Sequence, residues 1–346
     1  MEREIVMKKL IKKVLLAIAV VFAVLIVGLI INNRLFYFRY NHTETKKDDL
    51  SEEDVNRIHH IYRYLSEEGS RIFADFNGED MDLLLYNEAY EFLFSDFEPS
   101  GQEWSYIGKD EYLNKLIYRR IAANSQAFAV KIDSSWVGSF ATLDTYHKTM
   151  LRELPIFFPP QLVAADEQYY KALVIHEMTH AYQGKYNPNR IDEAEHIESI
   201  YNTYDSNNTF NTLLIQEAKY LETALQSDDM DSVRRNTELF LQTRDQRRKE
   251  CQMTAEDIAA EKEFEWLEGL ARYAEWKASQ GSSSPIAKGL SNISDKVKTR
   301  SDDRSYTLGM AEYINILKLD KSYEQTVLQE NVALEDILSE LCKTIE

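Results

Sequence analysis

The chain has 346 residues, 44% hydrophobic, 12% aromatic and 28% charged, which is enough apolar material for a packed core and excludes general disorder. Its 58 acidic residues against 40 basic ones give a formal net charge of -18, a field that repels phosphate backbones and argues against nucleic acid as a partner. The cysteines number 2, Cys251 and Cys342, too few for a disulfide scaffold, and they leave one pairing open.

In chain order the first element is the uncharged run from Val14 to Ile31. As a helix it rises about 27 Å, close to the roughly 30 Å of a hydrocarbon layer. Arg3, Lys8, Lys9, Lys12 and Lys13 precede it, and Arg34, Arg39, Lys46 and Lys47 follow more sparsely, so the positive-inside rule predicts a cytoplasmic N-terminus. The chain then divides into a cytoplasmic leader (1–13), a transmembrane anchor through the lipid bilayer (14–33), a stalk (34–50) and an extracytoplasmic domain (51–346). A cleaved signal peptide is the competing reading, but Gly28 is followed by Leu29, Ile30 and Ile31 rather than by a small-x-small cleavage site.

Ser51 is the expected N-cap of a helix whose apolar face is Ile58, Ile61, Tyr62 and Leu65. Residues 81–94 read as a strand and a following element, 111–125 as a helix, and 126–132 and 135–143 as strands flanking a turn at Asp133-Ser134. Pro155, Pro159 and Pro160 lead into an unbroken helical pattern over 161–183, with Gly184 as its stop. Further helices are expected at 213–225, at 233–250, after a capping box at Thr254 and Asp257, and within 306–319 and 329–343; residues 280–303 read as a flexible insert. The fold class is therefore α+β, a small N-terminal sheet with a predominantly helical C-terminal half. Neither GxxxxGK[ST] nor GxGxxG occurs.

The helix over 161–183 carries His176-Glu177-Met178-Thr179-His180. A spacing of four puts both imidazoles on one face, one turn apart, where they can bind a single Zn²⁺, and places Glu177 beside them as a base for water. Two histidines leave a catalytic zinc one protein ligand short. Glu268, in Trp266-Leu-Glu-Gly-Leu-Ala271, is the preferred third ligand, because a carboxylate among apolar neighbours needs a counter-charge. Glu217, Glu222 and His196 stay open as alternatives. Gly269 in mid-helix suggests close approach of another helix or of the site. Glu275, near the same face as Glu268, is a candidate partner for a ligating imidazole.

These two segments resemble the zincin metallopeptidases, in particular the gluzincin group of thermolysin-like and aminopeptidase-like catalytic domains. The resemblance covers about residues 125–275 and rests on the helix motif and on Glu268-Gly-Leu-Ala. It implies one zinc per chain held by His176, His180 and Glu268, Glu177 as general base, and a peptide or protein substrate. It also implies an edge strand beside the cleft, similar in position to 135–143, for which an ordinary core strand is the alternative. Tyr306 looks similar to a tyrosine that stabilises the tetrahedral intermediate in some relatives, with His196 as competitor. The gap from His180 to Glu268 is wider than in compact members and requires two or more inserted helices. The function implied is a membrane-anchored zinc-dependent peptide hydrolase; a catalytically inactive zincin-fold scaffold and a zinc hydrolase of a non-peptide cell-envelope amide are the alternatives.

Overall fold

A computed structural model of the chain describes all residues except 1, 124, 156–157, 163, 195–202, 283–291, 299–302, 330 and 344–346. Helix α1 (Glu2–Asn41) has no covering neighbour along its apolar stretch, where Leu16, Phe22 and Leu25 are more than 60% exposed. Among the described residues it is the one helix long and apolar enough to cross a membrane, over Ile11–Asn41. A helix apolar on every side and covered by no protein is matched to lipid. The helix does not end with the apolar run. Residues 34–41, expected in a polar stalk, continue it and lie on the domain: the Asn33 amide donates to the Phe158 carbonyl at 3.0 Å, and the Phe36 and Tyr40 rings face His147 at 6.5 and 4.6 Å.

Helix α2 (Glu52–Glu68) starts at a capping box between Ser51 and Asp54 and buries Ile58, Ile61, Tyr62 and Leu65, the expected face. Each such buried side chain contributes about 1.5–3 kcal/mol of burial energy. The sheet comprises β1 (Leu83–Tyr86), β2 (Tyr90–Ser95), β3 (Ser105–Asp110), β4 (Lys115–Ile121), β5 (Phe128–Ile132) and β6 (Ser135–Ala141), in spatial order β3-β4-β2-β1-β6-β5. β1 pairs β6 in parallel and the other neighbours are antiparallel. Asp133 adopts a positive φ of 53° in the turn between β5 and β6, where the turn was expected.

The helix expected at 111–125 is instead strand β4, paired on both edges. Asn114, at φ 58°, turns the chain out of β3, and Ile117, Tyr118 and Ile121 suit a pleated surface better than a helix. The sheet supplies the pairing that local sequence cannot report.

Helix α3 (Leu143–Glu153) follows the sheet, and α4 (Glu167–Tyr186) opens at N-cap Asp166, later than expected from 161. Gly184 does not stop α4. A Cβ there would lie 2.5 Å from the Trp136 ring, so this glycine admits the indole against the helix. α5 (Pro188–Ala194), α6 (Asn208–Gln226), α7 (Met230–Glu250), α8 (Ala255–Ala278), α9 (Asp303–Leu319) and α10 (Leu334–Lys343) make up the helical half. Thr254 and Asp257 form the expected capping box at the start of α8. About half of the insert at 280–303 lies outside the described residues; within the rest, Ile293–Lys296 forms a helical turn and Ile293 and Val297 are buried. Cys251 and Cys342 are both free thiols.

α7 brings three arginines into the helical core. Arg244, Arg247 and Arg248 meet Glu217 from α6, Glu261 and Glu265 from α8, Glu312 from α9 and Glu335 from α10. Charges this deeply buried are tolerable only when paired.

Candidate metal centre

α4 passes under the sheet on the side of β6 and β5. Gly138 of β6 sets the approach, since a Cβ there would stand 2.9 Å from the Met178 Cα, in the middle of the histidine motif. The same packing brings the Phe128 ring of β5 to 4.8 Å from the His180 ring. α8 packs on the other side of α4 and delivers Glu268.

His176, His180 and Glu268, all buried, converge as a group able to chelate a metal ion. The two Nε2 atoms are 3.2 Å apart, and the Glu268 Oε2 lies 3.3 Å from that of His176 and 3.4 Å from that of His180. Ligands placed tetrahedrally at 2.0–2.1 Å from one ion are separated by roughly 3.3–3.4 Å, so the three atoms have the spacing of three tetrahedral zinc ligands.

The outer nitrogens fix which lone pairs face inward. The Gln183 amide donates to the carbonyls of Trp266 and Leu267 at 3.1 and 3.0 Å, so its oxygen is what faces His180 Nδ1 at 2.9 Å. His176 Nδ1 faces the Glu275 carboxylate at 3.2 Å. Both acceptors require N–H at Nδ1 and leave each Nε2 with a lone pair. Glu268 Oε2 is buried and faces the two imidazole Nε2 atoms. Such a convergence needs positive charge at its centre, either a proton on an imidazole or a metal cation, and two imidazoles with a carboxylate form a donor set that suits zinc.

Burial opposes charge on His176, yet Glu268 and Glu275 raise its pKa to about 10. Burial likewise opposes charge on Glu268, but the two histidines hold its carboxyl well below the usual range. Half-buried Glu177 is pushed above the ordinary carboxylate range by burial, with the histidines acting against the shift.

Tyr306 comes from α9. Its ring stacks on His176 at 5.8 Å and 16°, and burial followed by the Glu268 charge pushes its hydroxyl far above the ordinary phenol value. The Arg272 guanidinium lies 4.8 Å over the other neighbour of this group, the Tyr306 ring, and reaches Glu275 at 3.3 Å. Gly269 and Gly309 let α8 and α9 cross closely enough to bring Tyr306 there, the helix approach that a mid-helix glycine suggested.

The alternative ligands lie elsewhere or outside what is described. Glu217 accepts from Arg244 at 3.1 Å and Arg247 at 2.5 Å within the buried ionic core. Glu222 accepts from the backbone amides of Asn292 and Ser294. His196 lies outside the described residues. The strand at 135–143 is not the sheet edge; β6 is flanked on both sides, and the edge beside the histidines is β5. Helices α6 and α7 fill the long gap between His180 and Glu268. Gln183, Arg272 and Gly309 were not singled out from the sequence. Gln183 sits one turn beyond His180, where its spacing was available as a signal; the other two had none. Comparisons with protein-family models, with curated proteins and with solved structures return no match for this chain.

Proposed function

We propose that this chain is a membrane-anchored, zinc-dependent peptide hydrolase of the zincin type, with its domain on the extracytoplasmic side. The observation that supports this most is the triangle of His176, His180 and Glu268 with Glu177 on the same helix turn. Zinc held by those three side chains would supply a Lewis acid for a carbonyl and acidify a water near neutral pH. Glu177 accepts the proton of the attacking water and can pass it to the leaving amine, a role favoured by a carboxyl whose pKa burial has lifted. Tyr306 keeps its proton and donates a hydrogen bond to the oxygen that gains charge in the tetrahedral intermediate. Glu275 and Gln183 orient the imidazoles, and Arg272 holds Glu275 and the Tyr306 ring together. β5, the sheet edge next to His180, offers main-chain groups to which an extended peptide can add as a further strand.

The test compares full-length parent and Glu177→Gln on a mixed peptide library in detergent. The expected result is zinc bound in both and cleavage reduced about 100- to 10,000-fold in the variant. Equal cleavage by the two would remove Glu177 from the chemistry. Zinc binding with no cleavage by the parent would favour the inactive-scaffold alternative.

A further inference from the structure

Where α1 leaves its apolar run, it forms one wall of a groove of ≈ 620 Å³ against the end of α3 and the segment after it. Ile30, Arg34 and Tyr37 line it from the helix, and Arg152, Leu154 and Phe158 from the domain. The polarity of the groove is ordered along the membrane normal. Ile30 belongs to the last turn of the apolar run, and Arg34 follows one turn later, about 6 Å further along the helix axis. The groove therefore crosses the boundary between hydrocarbon and head groups, with Ile30, Leu154 and Phe158 as its apolar part and two guanidinium groups as its basic part.

We propose that this groove binds one anionic phospholipid of the leaflet on the domain's side, its phosphate between Arg34 and Arg152 and the start of its acyl chains against Ile30, Leu154 and Phe158. Charge complementarity supports this occupant. In a chain of net charge -18, two arginines face one groove at head-group depth. Arg152 is held in place by Glu88, whose carboxylate it meets at 2.7 Å while remaining 57% exposed, and the Glu88 charge is also met by Lys148. Phe158 is 37% exposed, and its backbone carbonyl accepts from the Asn33 amide, which ties this segment to the helix beside the groove. A free phosphate would satisfy the arginines but leave the apolar part unused. The site is separate from the histidine cluster and does not depend on hydrolase activity. It gives the domain a fixed pose on the membrane in place of free motion on a tether.

The full-length protein in detergent, titrated with phosphatidylglycerol or phosphatidylcholine and read by native mass spectrometry, tests this. One phosphatidylglycerol is expected to be retained in preference to phosphatidylcholine. Its affinity should fall roughly 5-fold in Arg34→Gln and about 30-fold in Arg34→Gln/Arg152→Gln, the factors that correspond to about 1 kcal/mol per interfacial basic residue. Phe158→Ser should weaken binding with both arginines intact, and inorganic phosphate should not compete. Equal retention by parent and double variant, when both melt at the same temperature, would overturn the proposal. Displacement of the lipid by millimolar inorganic phosphate would overturn it too, marking a simple anion site.

Discussion

Gly269 and Gly309 meet where α8 crosses α9: a Cβ on Gly269 would lie 2.4 Å from the Gly309 carbonyl carbon, and a Cβ on Gly309 only 2.1 Å from the Glu265 carbonyl oxygen. The obstacles are backbone atoms, which no side-chain rotation can clear. This contact sets the height of Tyr306, one turn before Gly309, over His176. Gly309→Ala should therefore cost about 1–3 kcal/mol of stability through forced separation of the helices, measured as a lower urea midpoint. An unchanged midpoint would show that the crossing is not as tight as described.

The imidazoles are oriented from behind by Glu275 and Gln183. Loss of such partners typically weakens metal binding 10- to 100-fold. Glu275→Gln and Gln183→Leu should each show about that loss of zinc affinity in competition with a chromophoric chelator, with secondary structure intact by circular dichroism. Affinity equal to the parent in both would mean that these contacts do not hold the rings.

The ionic core around α7 has an excess of acid. Among the described residues, five buried carboxylates, Glu217, Glu261, Glu265, Glu312 and Glu335, face three buried arginines, Arg244, Arg247 and Arg248, with Lys262 at the rim shared between Glu335 and Asp336. Burial lifts Glu265 and Glu312 above the ordinary range despite Arg244. Burial also works against the Glu261 and Glu335 charges, but the arginines hold both below that range. A carboxyl raised by folding stabilises the fold fully below its unfolded pKa of about 4.3, and that contribution is lost as pH rises through the folded value. A depressed carboxylate contributes above about 4.3 and loses its contribution as pH falls. Glu312→Gln should thus flatten the fall in stability as pH rises, whereas Glu335→Gln should destabilise by about 1.5–3 kcal/mol near neutrality by removing the charged acceptor that Arg244, Arg248 and Lys262 share. Denaturant unfolding between pH 5 and 9 checks both signs, and a steeper loss with rising pH in Glu312→Gln would refute the excess-acid account.

Lysines crowd the N-terminal side of the apolar run, and the proposed orientation follows from them. Protease added outside intact cells expressing the full chain should digest the domain and leave a tag at residue 1 protected. Protection of the domain, with loss of the tag, would reverse the orientation.

Helical spacing puts the two motif histidines on one face and Glu268 near Glu275 on another, but the meeting of the two helices was not in the spacing; Glu268 was singled out because a carboxylate among apolar neighbours signals a counter-charge and because its segment resembles a zincin one. Ser51, Thr254 and Asp257 were legible for a similar reason, since capping is decided within a few residues, although the part of Asp54 in the Ser51 box was not singled out. Strand β4 was not legible. Its apolar spacing also fits a helix, the β-branched and aromatic signal of Ile117, Tyr118 and Ile121 was passed over, and pairing with β2 and β3 at either side settles the conformation. The role of Gly184 was misread because a glycine near a helix end signals a stop, while contact with Trp136 is set by tertiary packing. The packing of Phe36 and Tyr40 on His147 escaped for the same reason, as did the edge position of β5, which depends on the order of strands across the sheet.

The most direct test of the central claim is bound metal per chain in the purified full-length protein, measured beside Glu268→Ala and Glu217→Ala. Three converging ligands predict about one zinc in the parent and little in Glu268→Ala. Glu217→Ala, less stable because it opens the arginine cluster, should keep its zinc as long as it is folded. A folded parent without zinc after exposure to it, or a Glu268→Ala variant as fully loaded as the parent, would contradict the account.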